Sequence, residues 1–66
     1  MKTNNFKMEI ALAKAQMSSK ELSEATGISR ASIGRMIGGA VCKPFNVGKI
    51  ADALGVDVID LIDMEQ

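Results

Sequence analysis

Residues 17–39 read MSSKELSEATGISRASIGRMIGG, and their spacing encodes two helices and the bend between them. Ser18-Ser19-Lys20-Glu21 has the S-x-x-E pattern of a capping box. In that motif the Ser18 hydroxyl accepts from the N–H of Glu21, and the Glu21 carboxylate reaches back to the N–H of Ser18. Met17 and Leu22 are placed as the hydrophobic staple around it. The helix then runs through Leu22 and Ala25 to about Thr26, where Gly27 supplies the positive φ that ends it. Ile28 reads as a buried turn residue and Ser29 as the next cap. Arg30 to Ile37 follows, with Ile33, Met36 and Ile37 on one side, until Gly38-Gly39 stops it. Only Gly27 and Ile28 lie between the first helix and the cap of the second. Two short helices joined so tightly cross steeply, which is the helix-turn-helix arrangement, and the second keeps one side exposed.

The flanks extend this into five helical segments without an internal repeat or a linker. Upstream, Asn4 or Asn5 caps a helix from Asn5 to Gln16, with Phe6, Ile10 and Ala13 at i, i+4 and i+7 as its apolar face. Downstream, Ala40 to Phe45 reads as a loop, because Pro44 disfavours helix at Lys43. Asn46 then caps a fourth helix, Val47 to Leu54, with Ile50, Ala51 and Leu54 facing the core and Gly55 ending it. Asp57 caps a fifth, Val58 to about Asp63, whose apolar positions are Val58, Leu61 and Ile62. The expected fold is all-α: a single compact domain over residues 1–66, with its core at about 5–63 and the helix-turn-helix at about 18–37.

Composition bounds the function classes. Sixty-six residues make one small domain, which buries only roughly 60% of its unfolded surface. One cysteine excludes an internal disulfide, and with no histidine a zinc site cannot be completed, so neither metal nor cofactor is expected. Stability must come from helix packing or from self-association. No apolar run approaches the roughly 20 residues needed to span a bilayer, and no apolar segment follows the N-terminal lysines as a signal peptide would require. A membrane partner is therefore not expected, and a free thiol fits a reducing cytoplasm. Apart from Met1, the methionines (Met8, Met17, Met36 and Met64) are read as core filler, and Cys42 as a partly buried, inert thiol.

The formal net charge of zero conceals a polarity. All eight Lys and Arg lie in residues 1–49, opposed there by Glu9, Glu21 and Glu24, a surplus of five positive charges. Residues 50–66 carry five acids and no base. A basic part suits a polyanion, and the acidic part would face away from it.

With these residues in view, the chain closely resembles the helix-turn-helix of the phage repressor and Cro family, also called the xenobiotic-response-element family. The family pattern of an apolar residue, a cap, E-L-A, a glycine-apolar-Ser turn and a later apolar residue is met by Met17, Ser18, Glu21-Leu22-Ser23, Gly27-Ile28-Ser29 and Ile33. The likeness continues through KPFNVGKIADALGVDVIDLI, residues 43–62, which is similar to the family's loop proline, its I-A-x-A-L-G-V helix and its last helix. The resemblance implies a compact five-helix, lambda-repressor-like domain that sets its third helix in the major groove of double-stranded DNA. It implies base contacts from Arg30, Ala31 and Ser32, and from Arg35 one turn on, with Gly34 between them letting the helix sit close. It implies phosphate contacts from the loop before the fourth helix, matched here by Lys43 and the N–H groups near Asn46. The family's Gln at the start of the second helix is replaced by Ser19, a shorter donor for that phosphate. Many members pair an Arg on the first helix with a Glu on the third; here Leu12 and Ile37 occupy both places, so no charge is stranded.

Each candidate has a plainer role beside the functional one. Arg30 and Arg35 offer a planar fork that matches the O6 and N7 of guanine, a contact contributing about 1–3 kcal/mol of discrimination, or else they solubilise an exposed face. Lys20, Lys43 and Lys49 are phosphate ligands or simple surface charges. Ser18, Ser19 and Ser29 cap helices, which is compatible with holding a phosphate at a helix N-terminus. Val58, Ile59, Ile62 and Met64 form a two-fold dimer contact, as this region does in the family, or close the core.

The expected function is sequence-specific binding of double-stranded DNA by a homodimer regulating a prokaryotic or mobile-element operon. A chain of this length leaves no room for a ligand domain, so repression by promoter occlusion is the expected mechanism, with no small-molecule ligand. The competing class is a protein-interaction module, an antitoxin or adaptor whose acidic end binds a partner. Enzymatic activity is not expected: there is no histidine, no paired-carboxylate cleft, no phosphate loop and no imidazole partner for Cys42.

Overall fold

Local signals set four helices. A computed structural model describes residues 1–63, with α1 at Asn5–Ala15, α2 at Ser19–Thr26, α3 at Arg30–Ile37 and α4 at Pro44–Leu54, followed by a 3₁₀ turn at Val58–Asp60. The Asn4 side chain accepts from the N–H of Lys7 (2.9 Å) and caps α1. Gln16 closes that helix in the left-handed region (φ 55°). The α2 and α3 boundaries agree with the sequence expectation, including both serine caps.

Two boundaries differ. The expected fifth helix is only the short 3₁₀ turn, after which Ile62 pairs with Thr3 in an isolated antiparallel bridge. The N–H of Asn4 donates to Leu61 O (2.8 Å) and that of Asp63 to Lys2 O (2.8 Å). These backbone groups bind the N-terminal segment instead of extending a helix, and β-branched Val58, Ile59 and Ile62 favour that outcome. The fourth helix starts earlier than expected, at Pro44, with Lys43 as its cap and Asn46 inside the first turn. Proline at the first helical position needs no N–H partner and arrives with helical φ, so the residue that disfavours helix at Lys43 initiates one directly after it.

The core is aliphatic. Met8, Leu22, Ile33, Val47, Ile50 and Leu61 are fully buried, joined by Ala11, Ile28, Met36, Ala51 and Leu54. Leu12 and Ile37, the apolar substitutes for the family's charged pair, both pack against it half-buried. On α1 the buried face is Met8 and Ala11 with Leu12 and Ala15 beside them. The expected face is outside: Phe6 is 71% exposed, Ile10 44%, and Ala13 is exposed too. Both stripes have helical spacing, so periodicity alone does not choose between them. Asn5 settles the rotation by donating from Nδ2 to Ile37 O (2.7 Å), while the adjoining backbone at Asn4 is tied to Leu61.

Residues 1–4 stitch the domain together. Lys2 pairs with Val41, and Thr3 with Ile62, each as an isolated bridge. Thr3 is fully buried, and its hydroxyl donates to Met36 O (2.6 Å) at the end of α3. Lys7 Nζ donates to Ile62 O (3.1 Å) and fixes the C-terminal segment over α1. Cys42 is half-buried, with Sγ donating to Ala40 O (3.1 Å).

Candidate nucleic-acid interface

The bend that presents α3 is built by short side chains. Ser18 Oγ accepts from the N–H of Glu21 (3.1 Å), and Glu21 Oε1 from the N–H of Ser18 (2.8 Å), completing the box at the start of α2. At its end, Gly27 adopts φ 76° and donates its N–H to Ser23 O (2.8 Å). Two residues that sequence reasoning left without a role then lock the turn. Thr26 Oγ1 donates to Leu22 O (2.8 Å) and accepts from the N–H of Ile28 (3.2 Å). Ser23 Oγ donates to Ile28 O (2.5 Å). Both backbone groups of Ile28 are thereby satisfied while its side chain enters the core. The signal available in the sequence is two hydroxyl residues in the helical turn before a glycine, where such side chains bind local backbone. Ser23 stands where the resembled pattern has alanine.

Helix α3 is two-sided. Ile33 and Met36 are buried. Arg30, Ala31, Gly34 and Arg35 are exposed, and Ser32 is half-buried. Ser29 Oγ caps the helix by accepting from the N–H of Ser32 (3.2 Å) and also donates to Ser32 Oγ (3.1 Å). Arg35 Nη2 donates to the same Ser32 oxygen (3.1 Å). The outer face thus holds a hydrogen-bonded line from cap to guanidinium, which places Arg35 along the helix before anything docks. A Cβ built on Gly34 meets nothing within 4 Å, so no intramolecular contact explains a glycine in mid-helix.

The charge along this part of the chain is of one sign. Between Glu24 and Asp52 there is no Asp or Glu, while Arg30, Arg35, Lys43 and Lys49 all fall in that interval. Lys43 is exposed at the cap of α4, and Lys20 is exposed in the first turn of α2 beside half-buried Ser19. Asn46 is half-buried, and its N–H donates to Lys43 O (3.0 Å), so its backbone is engaged within the turn. Lys49 is half-buried, with Nζ 5.4 Å from the Phe45 ring centroid. The acids Asp52, Asp57 and Asp60 are exposed farther along the chain.

Of the four residues expected at a dimer contact, Val58 and Ile62 pack against the core, and Ile59 is 54% exposed. Met64 lies outside the described residues. Among the described residues no cluster of His, Cys, Asp and Glu is placed to hold a metal ion, and no helix is long and apolar enough to cross a membrane.

The sequence pattern of the Cro/C1-type HTH DNA-binding domain matches residues 7–66. No curated protein and no solved structure matches the chain. The family match runs from Lys7, within α1, onward, and includes the locked bend and the two-sided α3. The chain therefore belongs to the Cro/C1-type helix-turn-helix DNA-binding domain family, whose members bind DNA in transcriptional regulation.

Proposed function

We propose that this protein is a sequence-specific regulator that lays α3 in the major groove and reads base edges with Arg30, Ala31, Ser32 and Arg35. The observation that carries this is the two-sidedness of α3: its apolar side is consumed by the core, and its outer side presents two arginines in a stretch free of carboxylates. Major-groove edges offer the acceptors such forks match. Lys20, Lys43 and Lys49, with Ser19 and Asn46 at helix starts, contact phosphates and fix the register without reading sequence. Occupation of a promoter by the domain excludes polymerase sterically, and repression of a prokaryotic or mobile-element operon follows from that.

The proposed active form is a homodimer, because two-fold dimers read half-sites one helical turn apart. Exposed Ile59 supports such a contact, and Lys7 ties its carbonyl (3.4 Å) to α1, which itself presents Phe6 and Ile10 outward.

The test is selection of bound duplexes from a random pool with the wild type and an Arg30→Ala, Arg35→Ala double variant. A defined, two-fold motif is expected for the wild type. The double variant should lose about 1–3 kcal/mol per arginine on it. Equal, weak and unselective binding by both proteins would move the function to a protein-interaction module.

A further inference from the structure

Among the described residues, the most exposed large apolar side chains lie within the carboxylate-free stretch but do not belong to α3. Val41, in the loop that leaves α3, is 80% exposed, and Phe45, in the first turn of α4, is 74% exposed. The chain has only two aromatic residues, and neither contributes to the core. The patch is held firmly. Val41 is bridged to Lys2, and the next residue donates its N–H to Met1 O (2.7 Å). The Phe45 ring is braced by the Lys49 ammonium one turn on (5.4 Å). Two apolar side chains left this exposed on either side of Lys43, on backbone tied to the N-terminal segment and to the start of α4, are a candidate interaction site.

Charge identifies the occupant. Lys43 and Lys49 flank Phe45 in the helix start, and Lys2, opposite Val41, donates from Nζ to Gly39 O (2.7 Å). A second copy laid on this patch would set these cations against their equals. Duplex DNA instead offers phosphates to the lysines and apolar facets, its sugar rings and thymine methyls, to the side chains between them. The loop Gly38–Lys43 also joins the patch directly to the end of α3.

We propose that Val41 and Phe45 form a second DNA contact, packing on deoxyribose rings and thymine methyls of the duplex that flanks the base pairs read by α3, with Lys43 and Lys49 on the adjoining phosphates. This rests on the DNA-reading role of α3, and it adds a contact whose strength does not come from charge.

Salt separates the two kinds of contact. Affinity for the selected site would be measured against salt concentration for the wild type, Phe45→Ser, Phe45→Leu, Lys43→Ala and the double arginine variant. Two duplexes would be used, one with long flanks and one trimmed to the base pairs under α3. On the long duplex Phe45→Ser should bind roughly tenfold more weakly, the scale of losing one aromatic contact to nucleic acid. Its salt slope should be unchanged, and Phe45→Leu should retain most of the affinity. Lys43→Ala should instead lower the slope by about 1. On the trimmed duplex the wild type and Phe45→Ser should bind alike. Thermal unfolding should show both Phe45 variants folded, since the ring lies outside the core. Wild-type affinity of Phe45→Ser on the long duplex, with the site still lost by the double arginine variant, would overturn this contact and leave the α3 reading standing. Wild-type affinity of the double arginine variant would remove the α3 reading and this contact with it. Sedimentation in which Phe45→Ser turns a DNA-free dimer into monomers would assign the patch to a second copy and overturn the proposal.

Discussion

The bend between α2 and α3 and the stitch that closes the domain use the same hydrogen-bonding chemistry over opposite distances. Ser18, Ser23, Thr26 and Ser29 each bind partners two to five residues away. Thr3, Asn5 and Lys7 bind partners 32 to 55 residues away. The bend shapes the surface proposed to meet DNA, and the stitch holds that surface on its base: Thr3 and Asn5 both terminate on carbonyls at the end of α3, Met36 and Ile37. A local bond orders few residues and survives in fragments of structure. A bond across the whole chain exists only once the domain has closed, so its loss should be felt as loss of global stability.

The sharpest way to break this comparison is Thr3→Ala. It removes a buried hydroxyl with two carbonyl contacts, Met36 O and Ala40 O (3.2 Å), and a buried methyl. The expected destabilisation is about 2 kcal/mol, one hydrogen bond plus one methyl-sized burial. For a domain this small each kcal/mol lowers Tm by roughly 4–8 °C. Thermal denaturation measures it, and an unchanged Tm would show that the stitch contributes nothing to closure.

Ser18→Ala tests the local side. It deletes the acceptor of the capping box and should destabilise by about 1 kcal/mol, seen as a lower midpoint in urea with the slope unchanged. If this variant were less stable than Thr3→Ala, the ranking of local below long-range contacts would be reversed.

The smallest effect carries the opposite sign. Gly34→Ala fills open space in the middle of α3 and should stabilise the domain by about 0.5–1 kcal/mol. The same variant should bind the selected duplex less tightly, because the added methyl would stand where the proposed docking of α3 brings the groove wall. Higher stability with unchanged affinity would leave the glycine without a DNA-facing role.

Much of the helix-turn-helix was legible because its determinants are neighbours. Ser18 with Glu21, Gly27, Ser29 and the Ile33–Met36 spacing each specify geometry within one helical turn, and the structure places all of them as expected. The outward placement of Arg30 and Arg35 followed from the same periodicity. Ser23 and Thr26 were less legible, since hydroxyl side chains near a helix end have several local partners available and only the formed turn selects Ile28. Phe6 and Ile10 misled for a different reason. Helix α1 carries two apolar stripes of equal spacing, and strong hydrophobicity says nothing about which one faces inward.

By itself, the sequence determined where the chain turns, which helices are capped, and that basic residues run without opposing acids from Arg30 to Lys49. Those features depend on contacts within about one helical turn or on composition alone. Only the tertiary structure decided the rotation of α1, the replacement of a last helix by a 3₁₀ turn and an extended end, and the burial of Thr3. Each of these is set by a partner 30 or more residues away: Asn5 meeting Ile37, Thr3 meeting Met36, Lys7 meeting Ile62. Hydrogen bonds over such separations leave no spacing in the sequence, because the groups become neighbours only when the core draws the two ends together.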